Sequence, residues 1–90
     1  MKADELSVKN AKAIINKIST LDYGNLKKLA AGMEDILKSI SMNNGIFRDD
    51  LYLEMTGTCV TIIGLLKMSK LSEAKKNIEY LTGLLIQELT

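Results

Sequence analysis

The chain has no histidine, no proline and no tryptophan, and a single cysteine. Each absence removes a class of chemistry or structure. Without histidine, the side chain that most often serves as general base and as metal ligand is missing. Without proline, nothing forces a helix to kink or stop. The lone thiol, Cys59, cannot close an internal disulfide, so a reducing compartment, the cytoplasm, is the expected location. Aromatics are scarce as well, three tyrosines and one phenylalanine, so the core has to be aliphatic.

Long hydrophobic runs are lacking too. The longest uncharged stretch, Met55 to Leu66, has twelve residues. A membrane-spanning helix needs roughly 20, so this stretch reads as a buried core helix, with peripheral membrane contact left open. The opening Met-Lys-Ala-Asp-Glu-Leu carries two acids and no apolar run, which does not suit a signal peptide. An excess of one charge is also missing: 12 basic against 11 acidic residues leave a net charge of +1. Nucleic-acid-binding domains typically have a pI above about 9, so there is no global pull toward phosphates. With 47% apolar residues, the balanced charge also argues against disorder. Ninety residues make one domain, 1–90.

What is present is helical periodicity, in four segments. The first covers about 7–20, with Ala11, Ile14, Ile15 and Ile18 on one face and Ser7 as a candidate N-cap. The second covers about 25–42, capped by Asp22 or Asn25, with a stripe of Leu26, Leu29, Ala30, Met33, Ile36, Leu37 and Ile40. Asn43-Asn44-Gly45 stops it, because these residues accept a left-handed backbone. The third covers about 48–68, with Asp49 and Asp50 favouring its start and Tyr52, Met55, Cys59, Ile62, Ile63 and Leu66 as its stripe. The fourth covers about 73–89, with Ser72 as N-cap and Ala74, Ile78, Leu81, Leu85 and Leu89 inward. Short turns make consecutive helices antiparallel, so the expected fold is all-α, an antiparallel up-down-up-down four-helix bundle.

The chemistry-bearing residues do not assemble into a catalytic set. Cys59 lies on an apolar stripe, where a thiol is a small buried hydrophobe rather than a nucleophile. The adjacent acids Glu34-Asp35 and Asp49-Asp50 point about 100° apart on a helix and form no dyad. No run has the alternating oxygen ligands of a Ca²⁺ loop, and Gly57 and Gly64 make no phosphate loop. We expect no catalytic residue, no cofactor, no metal site and no enzyme.

Three features ask for explanation. Gly57, Thr61 and Gly64 share a face of the third helix, although each helical glycine costs about 1 kcal/mol against alanine. Either the bundle packs tightly there or the row is a seam for a partner. Second, apolar residues exceed one stripe: Leu51, Leu53, Val60 and Leu65 on helix three, Tyr80, Leu84 and Ile86 on helix four, and Ile46 and Phe47 before helix three. A wide core-facing helix or an interface accounts for them. Third, an up-down bundle gathers Lys17, Lys27, Lys28, Lys67, Lys70, Lys75 and Lys76 at one end, and Asp4, Glu5, Asp49, Asp50, Glu54 and Glu88 at the other. The lysine end is either solvated or meets an anionic surface.

With its first helix around Ala11-Lys12-Ala13-Ile14-Ile15, its second ending near Asn43-Asn44, a long third helix and the turn Lys70-Leu71-Ser72, the layout resembles the immunity proteins of pediocin-like bacteriocins. That resemblance implies a cytosolic antiparallel four-helix bundle that protects a producer cell from its own pore-forming peptide. The segment from Ile36 to Leu85 also resembles small enterobacterial biofilm and stress regulators, which are dimeric helical proteins. The expected function is a non-catalytic module that binds and inhibits or protects a protein partner. The alternatives are a homodimeric regulator of transcription or stress response, or a secretion-type chaperone. The expected partner-binding residues are Gly57, Thr61, Gly64, Ile46, Phe47, Tyr80 and Leu84. The partner is a protein or a second copy, with nucleic acid as a weaker option at Lys27, Lys28, Lys67, Lys70, Lys75 and Lys76.

Overall fold

A computed structural model describes residues 5–89, so Lys2, Asp4 and Thr90 lie outside the described residues. The chain forms α1 (Glu5–Ser19), α2 (Leu26–Ser41), α3 (Asp49–Lys67) and α4 (Leu71–Leu89). Each helix packs on two others, α1 and α3 both lying against α2 and α4. This is the all-α, up-down-up-down four-helix bundle that the periodicity predicts.

In α1, Ser7, Ala11, Ile14 and Ile18 are buried. Ser7 is therefore not the N-cap. It lies inside a helix already formed at Glu5, one turn before Ala11 on the same inward face. Helix α2 starts as expected, with Asn25 Oδ1 accepting from the Lys28 N–H at 3.1 Å. Asp22, the other candidate cap, accepts from the Gly24 N–H at 2.9 Å and closes the preceding turn instead. Leu26, assigned to the inward stripe, is exposed because it occupies the first helical position, and the buried residues begin at Leu29.

The Asn43-Asn44-Gly45 stop has the expected left-handed glycine, with φ of 87° at Gly45. Asn43 also does structural work within the bundle. It is buried, its Nδ2 donates to the Ser39 carbonyl at 2.8 Å, and its Oδ1 accepts from Asn10 Nδ2 at 2.7 Å, joining α1 to the end of α2. Phe47 then inserts into the core, and Ile46 packs partly against it.

The start of α3 is tied to the end of α4. Glu88 is only 4% exposed. Its Oε1 accepts from the Arg48 N–H and its Oε2 from Arg48 Nε, both at 3.1 Å, while Arg48 Nη2 donates to the Gln87 carbonyl at 2.6 Å. Burying a carboxylate is tolerated when it is paired and hydrogen-bonded in this way.

Helix α3 ends in a Schellman arrangement. The Lys70 N–H reaches back to the Leu65 carbonyl at 2.9 Å and the Ser69 N–H to Leu66 at 3.0 Å. Ser69 holds the left-handed position, φ 59°, that glycine usually takes. The chain re-enters a helix at once, the Lys70 carbonyl accepting from the Ala74 N–H at 3.0 Å. Ser72 is thus not a cap but lies in the first turn of α4, which begins at Leu71. The core between the helices is almost wholly aliphatic, built around Leu29, Met33, Ile36, Ile40, Met55, Ile62, Leu81 and Leu85.

Candidate functional site

Helix α3 has two apolar sides. Leu51, Met55, Thr58, Cys59, Ile62 and Leu66 are buried against the bundle. At 100° per residue, Leu53, Gly57, Val60 and Gly64 fall opposite that buried set, and Met68 continues their line at the C-cap. Leu53 is 68% exposed, Val60 61% and Met68 59%. No charged residue interrupts α3 between Glu54 and Lys67. Most soluble helices carry charge opposite their buried stripe, so this outer face is unusual for a helix in water.

The polar groups on this face are already satisfied. Thr56 Oγ1 donates to the Leu53 carbonyl at 3.1 Å, and Thr61 Oγ1 to the Gly57 carbonyl at 3.1 Å. Both threonines therefore demand little hydrogen bonding from a partner. A Cβ built at Gly57 or Gly64 would meet nothing within 4 Å. Tight packing inside the bundle therefore does not account for this row; both glycines border open space on the outer surface.

The structure separates the other expected partner-binding residues. Tyr80, on α4, is half exposed and its hydroxyl donates to Glu54 Oε2 at 2.8 Å, which fixes the ring along the α3–α4 edge. That hydrogen bond to a carboxylate holds the Tyr80 phenol above its ordinary pKa. Phe47 and Leu84, in contrast, are buried in the core, so their side chains are not part of the surface. Ile46 is partly buried against the same core. Leu53 and Val60 stood out in sequence only as surplus apolar residues, and Met68 not at all. The signal was their spacing with the glycines, 53, 57, 60, 64 and 68, which repeats every three or four residues.

The lysines Lys27, Lys28, Lys67, Lys70, Lys75 and Lys76 are all exposed, at the end of the bundle that holds the α1–α2 and α3–α4 turns. Several are engaged locally. Lys70 Nζ lies 3.9 Å from Glu73 Oε2, and Lys75 Nζ sits 5.5 Å from the centroid of the Tyr23 ring. The Tyr23 phenol is raised by its partial burial and by Glu79 nearby. Lys17 bonds Asp35 at 3.1 Å and Ser39 at 2.8 Å across α1 and α2. Acids are thus interleaved with the lysines.

Cys59 is fully buried, and that burial pushes its thiol up to about 12, so it is no thiolate at neutral pH. Among the described residues, no group of three or more His, Cys, Asp or Glu side chains is placed to hold a metal ion. No helix among them is long and apolar enough to cross a membrane. No family model, curated protein or solved structure matches the chain. The surface geometry therefore carries the functional argument.

Proposed function

We propose that this is a non-catalytic protein-binding module whose binding surface is the outer face of α3. The observation that carries this reading is the uncharged, apolar, solvent-facing line Leu53, Gly57, Val60, Gly64 and Met68, on a helix whose opposite side already completes the core. A contiguous apolar face left in water is characteristic of an interaction site. Tyr80 and Thr61 border it, so three of the sequence-derived residues, Gly57, Thr61 and Gly64, and one on the neighbouring helix belong to one surface. The module acts in the cytoplasm through binding at this face, to a protein partner or to a second copy of itself.

The test is site-specific photo-crosslinking in the native cell. A photoreactive residue at position 53, 60 or 68 is expected to give protein adducts, while the same residue at Lys12 or Lys38, on the outer faces of α1 and α2, gives none. No adduct from α3, or equal adducts from all three helices, overturns the reading.

Bacteriocin immunity is the most specific version. It predicts that expressing the chain protects a cell sensitive to a pore-forming peptide, and that Val60→Asp removes protection without loss of helical circular dichroism. A regulator acting through the lysine end is the competing reading. It predicts DNA binding that weakens steeply with salt and fails when Lys27, Lys28, Lys75 and Lys76 become Glu. The acids interleaved with those lysines favour the protein-binding reading.

A further inference from the structure

Resting on that reading of the α3 face, we propose that its occupant is a second copy of this chain, paired antiparallel, α3 against α3. The outward residues are symmetric about the midpoint between Val60 and Thr61: Leu53 and Met68 lie equally far from it, as do Gly57 and Gly64. Turning a second copy by a two-fold axis through that midpoint sets Leu53 level with Met68 of the second copy and Gly57 level with Gly64. Val60 then comes level with Thr61. The bulky residues meet at the two ends, and the glycines meet between them, where two helix backbones approach closely without a Cβ in the way. A surface that matches itself under a two-fold is what an isologous dimer requires.

Charge selects the direction. The N-terminal end of α3 carries the exposed acids Asp49, Asp50 and Glu54, with the adjacent Arg48 held by Glu88, and its C-terminal end is followed by the exposed Lys67, Lys70, Lys75 and Lys76, with Glu73 beside Lys70. Parallel pairing would lay acids on acids and lysines on lysines. Antiparallel pairing lays the acidic end of each copy over the lysine end of the other and opposes the two helix dipoles. Like charges are kept apart on the scale of the Debye length, about 8 Å at physiological salt.

Area sets the strength. From Leu53 to Met68 the face is about 22 Å long and ~10 Å wide, on the order of 200 Å², roughly a quarter of the ~800 Å² per partner of a standard interface. The edges of α2 and α4 add to it, with the half-exposed Tyr80 as the large side chain on the α4 edge. A patch this small suits weak, reversible pairing, so the dimer is expected to fill toward the upper end of a range of roughly 1 μM to 1 mM.

The experiment measures mass against concentration by sedimentation, from roughly 1 μM to 1 mM, for the wild-type chain, Val60→Asp and Gly83→Ala. Gly83 lies on the outer side of α4 in open space and serves as a control. Wild type and Gly83→Ala are expected to dimerise, and Val60→Asp to stay monomeric with unchanged circular dichroism. Orientation is read with a short thiol crosslinker, to which buried Cys59 does not respond. A mixture of Leu53→Cys and Met68→Cys chains is expected to give a crosslinked dimer. Leu53→Cys alone is expected to give none, its two copies lying about 22 Å apart along the helix. A monomeric wild type, a dimer that survives Val60→Asp, or crosslinking of Leu53→Cys alone overturns the antiparallel pair. Foreign-protein adducts from a monomeric chain would overturn it too while leaving the α3 face as a binding surface; loss of all adducts would remove that surface itself.

Discussion

Helices α2 and α3 are neighbours of similar length, yet their sequences serve different ends. In α2, the buried Leu29, Met33, Ile36 and Ile40 form one stripe, and Lys27, Lys28, Glu34, Asp35 and Lys38 are exposed beyond it. Within α2 only Leu26 and Ala31 among the apolar residues are exposed, with Met42 exposed at its C-cap, and the rest go to the core or its margin. In α3, the core side is complete with Leu51, Met55, Cys59, Ile62 and Leu66, and Leu53, Val60 and Met68 remain in water. The difference separates residues that hold the fold from residues that the fold does not use. A helix satisfied by its own bundle has no folding reason to keep a second apolar side, and α3 keeps one.

The largest effect that tests this contrast is within α3 itself. Ile62→Ala, on the buried side, is expected to cost about 2–5 kcal/mol in urea denaturation. Val60→Ala, two residues away and exposed, should change monomer stability by less than about 0.5 kcal/mol. Equal losses would mean that both sides of α3 are core.

The buried thiol gives a pH dependence of the next size. Burial favours the neutral form of Cys59, which titrates at about 12 in the folded chain against about 9 when unfolded. Its contribution is fully present below pH 9 and is lost as pH rises toward 12, on the order of 4 kcal/mol. Against Cys59→Val, wild type should lose stability more steeply in that window. A thiol reagent at pH 8 should label Cys59 only after denaturant is added.

Arg48→Ala follows. It removes the guanidinium from the buried Glu88 and leaves only the residue-48 backbone N–H as a partner in that clasp, which should cost about 1–3 kcal/mol in thermal or urea unfolding. Nothing comparable is available at the exposed Lys17–Asp35 pair, where Lys17→Ala should cost under about 1 kcal/mol.

The smallest effects set the glycines of the two helices against each other. Gly57→Ala and Gly64→Ala should each stabilise the monomer by about 0.5–1 kcal/mol, since the added methyl meets nothing. In α2, a Cβ at Gly32 would come within 2.5 Å of Leu21 Cδ2, so Gly32→Ala should gain less or lose stability. Differential scanning calorimetry on dilute protein separates the two. At high concentration the α3 alanines should also weaken self-association.

Much of the bundle is legible in the residues alone. The stripe of α2 repeats cleanly because its outer side is charged, and Asn25 and Gly45 act through bonds and dihedrals only a few residues away. The ends of α1 and α4 were less legible. Ser7 looks like a cap but is buried in phase with Ala11, and Ser72 lost that role when Ser69 took the left-handed position and let α4 begin at Leu71. The clasp between Arg48 and Glu88 spans 40 residues of sequence, so no local pattern announces it. Within the candidate surface, Gly57, Thr61 and Gly64 were visible as a row, whereas Phe47 and Leu84 carried the same apolar signal and proved to be core.

By itself, the sequence determined the four helices, their order and most of their boundaries, because helix formation follows spacing, caps and turn residues that act over a few positions. The periodicity also picked the side of α3 that the core takes, Met55, Cys59, Ile62 and Leu66. Only the tertiary structure decided the fate of the apolar residues beyond that stripe. They carry the same local signal, and packing divides them: Leu51, Phe47 and Leu84 are buried in the core, and Leu53 and Val60 are left facing water.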